Sequence, residues 1–66
     1  MKINLNGQAR EVTEAITLAE LIESLELSGK RLAIEVNEDL VTRSLFETHQ
    51  LQPNDQVEIV QAIGGG

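Results

Sequence analysis

Ile16-Thr17-Leu18-Ala19-Glu20-Leu21-Ile22-Glu23-Ser24-Leu25 is the stretch on which the fold turns. Thr17 followed three residues later by Glu20 is the pattern of a capping box, in which each side chain takes up a backbone N–H that a helix start leaves unpaired. Ile16 and Leu21 stand at the paired positions of a hydrophobic staple around that cap. Leu18, Leu21, Ile22 and Leu25 then recur at i, i+3, i+4 and i+7, which lines them up as a single apolar stripe. Glu20 and Glu23 fall off the stripe, and Glu20 suits the positive end of the helix dipole. Ser28-Gly29 predicts the stop, with Gly29 as a left-handed cap. A helix apolar on one side only must lie on another layer.

That layer is legible on both sides of the helix. Upstream, Met1, Ile3 and Leu5 alternate with polar residues and share one face of a strand. Asn6-Gly7 is the preferred dipeptide of a tight type I′ hairpin turn, so Gln8 to Val12 is expected to return antiparallel. Downstream, Leu32, Ile34 and Val36 alternate with Ala33 and Glu35 in a third strand. Asn37-Glu38-Asp39 reads as a turn and Leu40-Val41-Thr42 as a short fourth strand. Ser44 and Glu47 repeat the capping pattern, which predicts one helical turn from Leu45 to His49. Pro53-Asn54-Asp55 is turn chemistry. Gln56 to Gln61 forms the last strand, with Val57 and Ile59 on one side and Glu58 and Val60 on the other. The fold class is α+β: a mixed sheet of about five strands, one main helix packed on one face and a short second helical turn.

Composition narrows the function. The chain has 66 residues, no cysteine, no Trp, no Tyr and a single histidine. A domain of this size has one small core and little room for an enclosed substrate cavity. Without cysteine there is no disulfide, thiolate metal site or cysteine nucleophile, and a cytoplasmic home is favoured. His49 has no second ligand at metal-binding spacing, so no metal is expected. Eleven acids against five bases give a net charge of −6, which opposes binding to nucleic acid or to an anionic membrane. No apolar run approaches the ~20 residues of a membrane helix, and no signal peptide is apparent. The expectation is a non-enzyme that acts through a surface or an end.

Residues 1–63 read as the folded domain and Gly64-Gly65-Gly66 as a flexible tail. Glycine lacks a Cβ, so an arm of this kind can be enclosed in a narrow channel and read through its backbone. A free terminal carboxyl titrates near ~3.3–3.7 and is an anion at neutral pH. Taken by themselves, the residues leave an inert end and a recognised arm equally open. If Val57 and Ile59 face the helix, then Glu58, Val60 and Ala62 face outward close to the tail and form a candidate docking strip.

Nearly the whole chain resembles the ubiquitin-like sulfur carriers, most closely the thiamine-biosynthesis (ThiS) family. The matching segments are the Asn6-Gly7 hairpin, Thr17-Leu18-Ala19-Glu20-Leu21, Ala33-Ile34-Glu35-Val36-Asn37, Val41-Thr42-Arg43-Ser44 and Asp55 through Gly66. Thr42, Phe46 and Asn54 depart from the residues usual there (Pro, Trp and Gly). The resemblance implies a ubiquitin-like β-grasp fold with no bound cofactor, expected to be a monomer when free. It implies that the Gly66 carboxylate is adenylated with ATP by an E1-like adenylyltransferase and converted to a thiocarboxylate. A sulfur-donating enzyme such as a cysteine desulfurase supplies the sulfur, which passes to thiazole synthase. Ile63, Gly64 and Gly65, with Glu58, Val60 and Ala62, are the expected partner contacts. A carrier for molybdopterin synthesis and a protein modifier conjugated through Gly66 share the fold and tail and are the alternatives.

Overall fold

The computed structural model describes residues 1–62. β1 (Lys2–Leu5) and β2 (Gln8–Glu11) form the first hairpin, and α1 (Leu18–Ser24) follows. β3 (Leu32–Val36) and β4 (Asp39–Val41) form the second hairpin. A 3₁₀ turn (Arg43–Leu45) then leads to β5 (Gln56–Gln61). The five strands make one sheet in the order β2-β1-β5-β3-β4. The last strand thus lies at the centre, parallel to β1 and antiparallel to β3. None of the described helices is long and apolar enough to cross a membrane.

The local chemistry explains each element. Asn6 (φ +49°) and Gly7 (φ +83°) both adopt the left-handed conformation that a type I′ turn demands. At the start of α1, Thr17 Oγ1 accepts the Glu20 N–H at 3.1 Å and Glu20 Oε1 accepts the Thr17 N–H at 2.9 Å, the reciprocal pair of a capping box. Ile16 and Leu21 are both buried, as the staple requires. Leu18, Leu21 and Ile22 pack with Ile3, Ile34 and Val57 from the sheet, and Phe46 and Leu51 close the core from the long connection to β5.

Four boundaries differ from the sequence expectation; the smallest difference is in β2, which ends at Glu11 and not Val12. The helix ends at Ser24 with Leu25 as its cap, well before Ser28-Gly29. At 3.6 residues per turn, a helix continued to Leu27 would aim that side chain about half a turn away from Leu18, into solvent. Instead Glu26 takes a left-handed φ of +60°. The Glu26 N–H then reaches the Glu23 carbonyl at 3.0 Å, and the Leu27 N–H reaches the Ile22 carbonyl at 3.0 Å. This is a Schellman motif, and it returns Leu27 to the edge of the core. Gly29 (φ +81°) serves the next turn, closed by the Lys30 N–H on the Leu27 carbonyl.

The second helical turn starts two residues early, at Arg43, and Ser44 lies inside it. Thr42 is the cap, and its hydroxyl sits 3.2 Å from that of Ser44, so the expected Ser44–Glu47 cap is not used. This winding buries Phe46 and leaves Leu45 outside. The second hairpin closes through only two residues, Asn37 and Glu38, both at positive φ. β4 accordingly spans Asp39–Val41, one position earlier than Leu40–Thr42.

Candidate functional site

The outward face of β5 follows from strand alternation. Val57 is buried and Ile59 half-buried against the helix side, while Glu58, Val60 and Ala62 are exposed. Val60 is 62% exposed, so burial gives it no reason to be apolar, although a single exposed valine is common. The register places Ala33 of β3 opposite Val60 and Glu35 opposite Glu58. Leu40 of β4 lies beside Glu35 and is 67% exposed. The surface is therefore an open strip of Val60, Ala33 and Leu40 around two facing carboxylates. Like charges directly opposite on adjacent strands repel, and no basic side chain pairs with either among the described residues.

β5 is pinned by side chains at its start and again past its middle. At its start, the buried Asp55 accepts the Gln52 N–H at 2.8 Å and the Asn37 Nδ2–H at 3.0 Å. Asn37 in turn accepts the Gln56 N–H through its side-chain oxygen at 3.0 Å. The Pro53-Asn54 turn, with Asn54 at φ +69°, is thereby tied to the β3–β4 turn. Further along, the Asn6 side chain bonds both main-chain groups of Ile59.

Other places in the molecule are committed to structure. The first N–H groups of α1 have no room for an anion: Leu18 donates to the His49 carbonyl at 3.0 Å and Ala19 to the Phe46 carbonyl at 2.9 Å. His49 itself is half-buried, and among the described residues no cluster of acids and histidine could hold a metal ion.

Of the expected site residues, Glu58, Val60 and Ala62 share the exposed face. Ile63, Gly64, Gly65 and Gly66 lie outside the described residues, as does the boundary at 63. Glu35, Ala33 and Leu40 were not singled out from sequence. The alternation of Leu32, Ile34 and Val36 already turns Ala33 and Glu35 outward, but their position beside β5 requires the strand order.

Residues 3–66 match the model of the ThiS family. The chain is 33% identical to the sulfur carrier protein ThiS of Escherichia coli (strain K12), over the full length of both proteins. It is 38% identical to a thiazole synthase of Magnetococcus marinus, of which it spans only 20% of the length. The fold superposes on the crystal structure of the thiamine biosynthesis protein ThiS from Geobacter metallireducens with a TM-score of 0.86, at 26% identity and full coverage of both chains. The match extends to the β-grasp arrangement of one helix on a mixed five-stranded sheet.

Proposed function

The chain belongs to the ThiS family and is a sulfur carrier of thiamine biosynthesis, and on that premise we propose that its chemistry resides in the Gly66 carboxylate. The carboxylate is a poor electrophile, so it must be activated first. One of its oxygens attacks the α-phosphorus of ATP on an E1-like adenylyltransferase, and pyrophosphate leaves. Hydrosulfide-level sulfur released by a donor enzyme then attacks the acyl carbon, the bond from that carbon to the phosphate oxygen breaks and AMP leaves, giving the thiocarboxylate. A donor persulfide attacking directly gives an acyl disulfide, which a thiol reductant must cleave to reach the same product. The carrier contributes a folded handle and an arm without side chains. Acids, bases and the binding of ATP come from the partners.

The observation that carries this reading is the family match running through the glycine arm, to residue 66. Thiazole synthase is the proposed acceptor of the sulfur. It is supported by relatives of that name, which contain a segment similar to this chain within a much longer protein. Glu58, Val60 and Ala62 are proposed to dock the partners, with Ile63, Gly64 and Gly65 leading Gly66 into the reaction site.

The test is direct. One Ala added after Gly66 displaces the carboxylate by a residue, and catalytic geometry tolerates little more than ~1 Å. The extended protein should fail to support ATP–pyrophosphate exchange while melting like the parent. Normal exchange by the extended protein refutes the assignment. Intact mass after incubation with partners distinguishes the product, since the thiocarboxylate differs by sulfur for oxygen and a conjugate by a whole protein.

A further inference from the structure

The two edges of β5 are treated unequally. On the β3 side, pairing runs the full length of the strand, from Val36 opposite Val57 to Leu32 opposite Gln61, and the Ala62 N–H still reaches the Arg31 carbonyl at 2.9 Å. On the β1 side, pairing is short. It covers Asn4 with Gln56 and Leu5 with Val57, and ends as the Asn6 N–H meets the Val57 carbonyl at 2.9 Å. There the backbone turns out of the sheet into the hairpin loop, with Asn6 at φ +49°. The next β5 residue facing this edge is Ile59, and β1 has no backbone left to offer it.

The Asn6 side chain fills the vacancy. Its Oδ1 accepts the Ile59 N–H at 2.9 Å, and its Nδ2 donates to the Ile59 carbonyl at 3.3 Å. A carboxamide presents the same donor and acceptor as a peptide group, so it imitates one more strand residue. The turn alone does not demand this: glycine or aspartate also fits a left-handed turn position. Glycine makes neither bond, and ionised aspartate can accept but cannot donate. The choice of asparagine is tied to Ile59, a residue 53 positions away.

We propose that Asn6 is a positioning residue for acyl activation: its carboxamide locks the second edge of β5 at Ile59 and so fixes the direction in which residues 60–62 carry the chain toward Gly64-Gly65-Gly66. This rests on the reading that Gly66 is activated. Ile59 is the last β5 position with a neighbour across both edges: Asn6 holds its main-chain groups on one side, and Ile34 stands opposite on the other. Beyond it, small angular errors grow along the arm, so a loosened edge lowers the fraction of carriers aimed productively at the enzyme and raises the apparent KM in inverse proportion, with little change once the arm is seated.

Three variants test it: Asn6→Gly, Asn6→Asp, and Val41→Ala as a control that weakens the core at β4, away from this edge. Amide exchange followed by NMR should show Ile59 opening about five- to tenfold faster in Asn6→Gly, with Asn6→Asp between Gly and wild type. In pyrophosphate exchange with the adenylyltransferase, Asn6→Gly should raise the KM for the carrier several-fold at nearly unchanged kcat. Val41→Ala should leave KM alone despite a lower melting temperature. Unchanged Ile59 exchange in Asn6→Gly overturns the clamp. Faster exchange with unchanged KM, or an equal rise in KM for Val41→Ala, overturns the positioning role. If the wild-type protein shows no pyrophosphate exchange, the functional reading falls instead, and the amide measurement still decides on the clamp because it needs no partner.

Discussion

Leu21 and Val60 mark two opposite uses of an aliphatic side chain. Leu21 is fully buried at the centre of the helix stripe and at the staple. Leu21→Ala should cost about 2–5 kcal/mol, a large share of the total for a domain this small. A urea melt showing a loss under about 1 kcal/mol would contradict the packing described. Val60 contributes little to folding, being mostly solvent-exposed. Val60→Asp should cost no more than about 1 kcal/mol in the melt, from lost strand propensity and the added like charge, and weaken binding to the adenylyltransferase or to thiazole synthase at least about fivefold, as for a central interface residue. Calorimetric titration against each partner decides this. Unchanged affinity for both would move the docking surface to another face.

At the scale of elements, α1 shows what sequence reading reaches and where it stops. The capping box, the staple and the stripe are all local patterns, and each was legible because a few neighbouring residues determine it. The end of the helix was not, because Leu27 is drawn back by contacts that only the folded sheet supplies, and this overrides the glycine signal two residues further on. The second helical turn was misplaced for the same reason, with burial of Phe46 outweighing the Ser44–Glu47 pattern. For the site, the exposed face of β5 followed from alternation. Its neighbours Glu35 and Leu40 did not, since strand order is a non-local property. The Schellman residue gives a further test. Glu26 sits at positive φ, and α1 has no basic residue in its last turn. Left-handed conformation costs a non-glycine residue ~1–2 kcal/mol, partly offset by the greater unfolded freedom of glycine. Glu26→Gly should therefore stabilise by about 0.5–1 kcal/mol, seen as a higher urea midpoint. Glu26→Gln, which removes the charge and keeps the Cβ, should recover only a small part. Equal gains from both would show that electrostatics, not backbone strain, limits this position.

For the whole molecule, the net charge of −6 is the dominant long-range property. Partners with basic rims should be met faster than neutral ones. Raising ionic strength toward and past the physiological value, where screening sets in within ~8 Å, should slow association with the adenylyltransferase several-fold and change dissociation much less. Stopped-flow measurement across a salt series separates the two, and a salt effect confined to dissociation would rule out steering. The central place of β5 has a consequence of a different kind, for how the protein comes into being. Without residues 56–61 the sheet divides into two separate hairpins, β2-β1 and β3-β4, and isolated hairpins are marginal in water. A nascent chain must therefore stay largely unstructured on the ribosome until its final strand has emerged, and pairing β1 with β5 closes most of the chain in one slow, non-local step. A protein that recognises the finished sheet thus meets only chains whose synthesis has reached the root of the glycine arm.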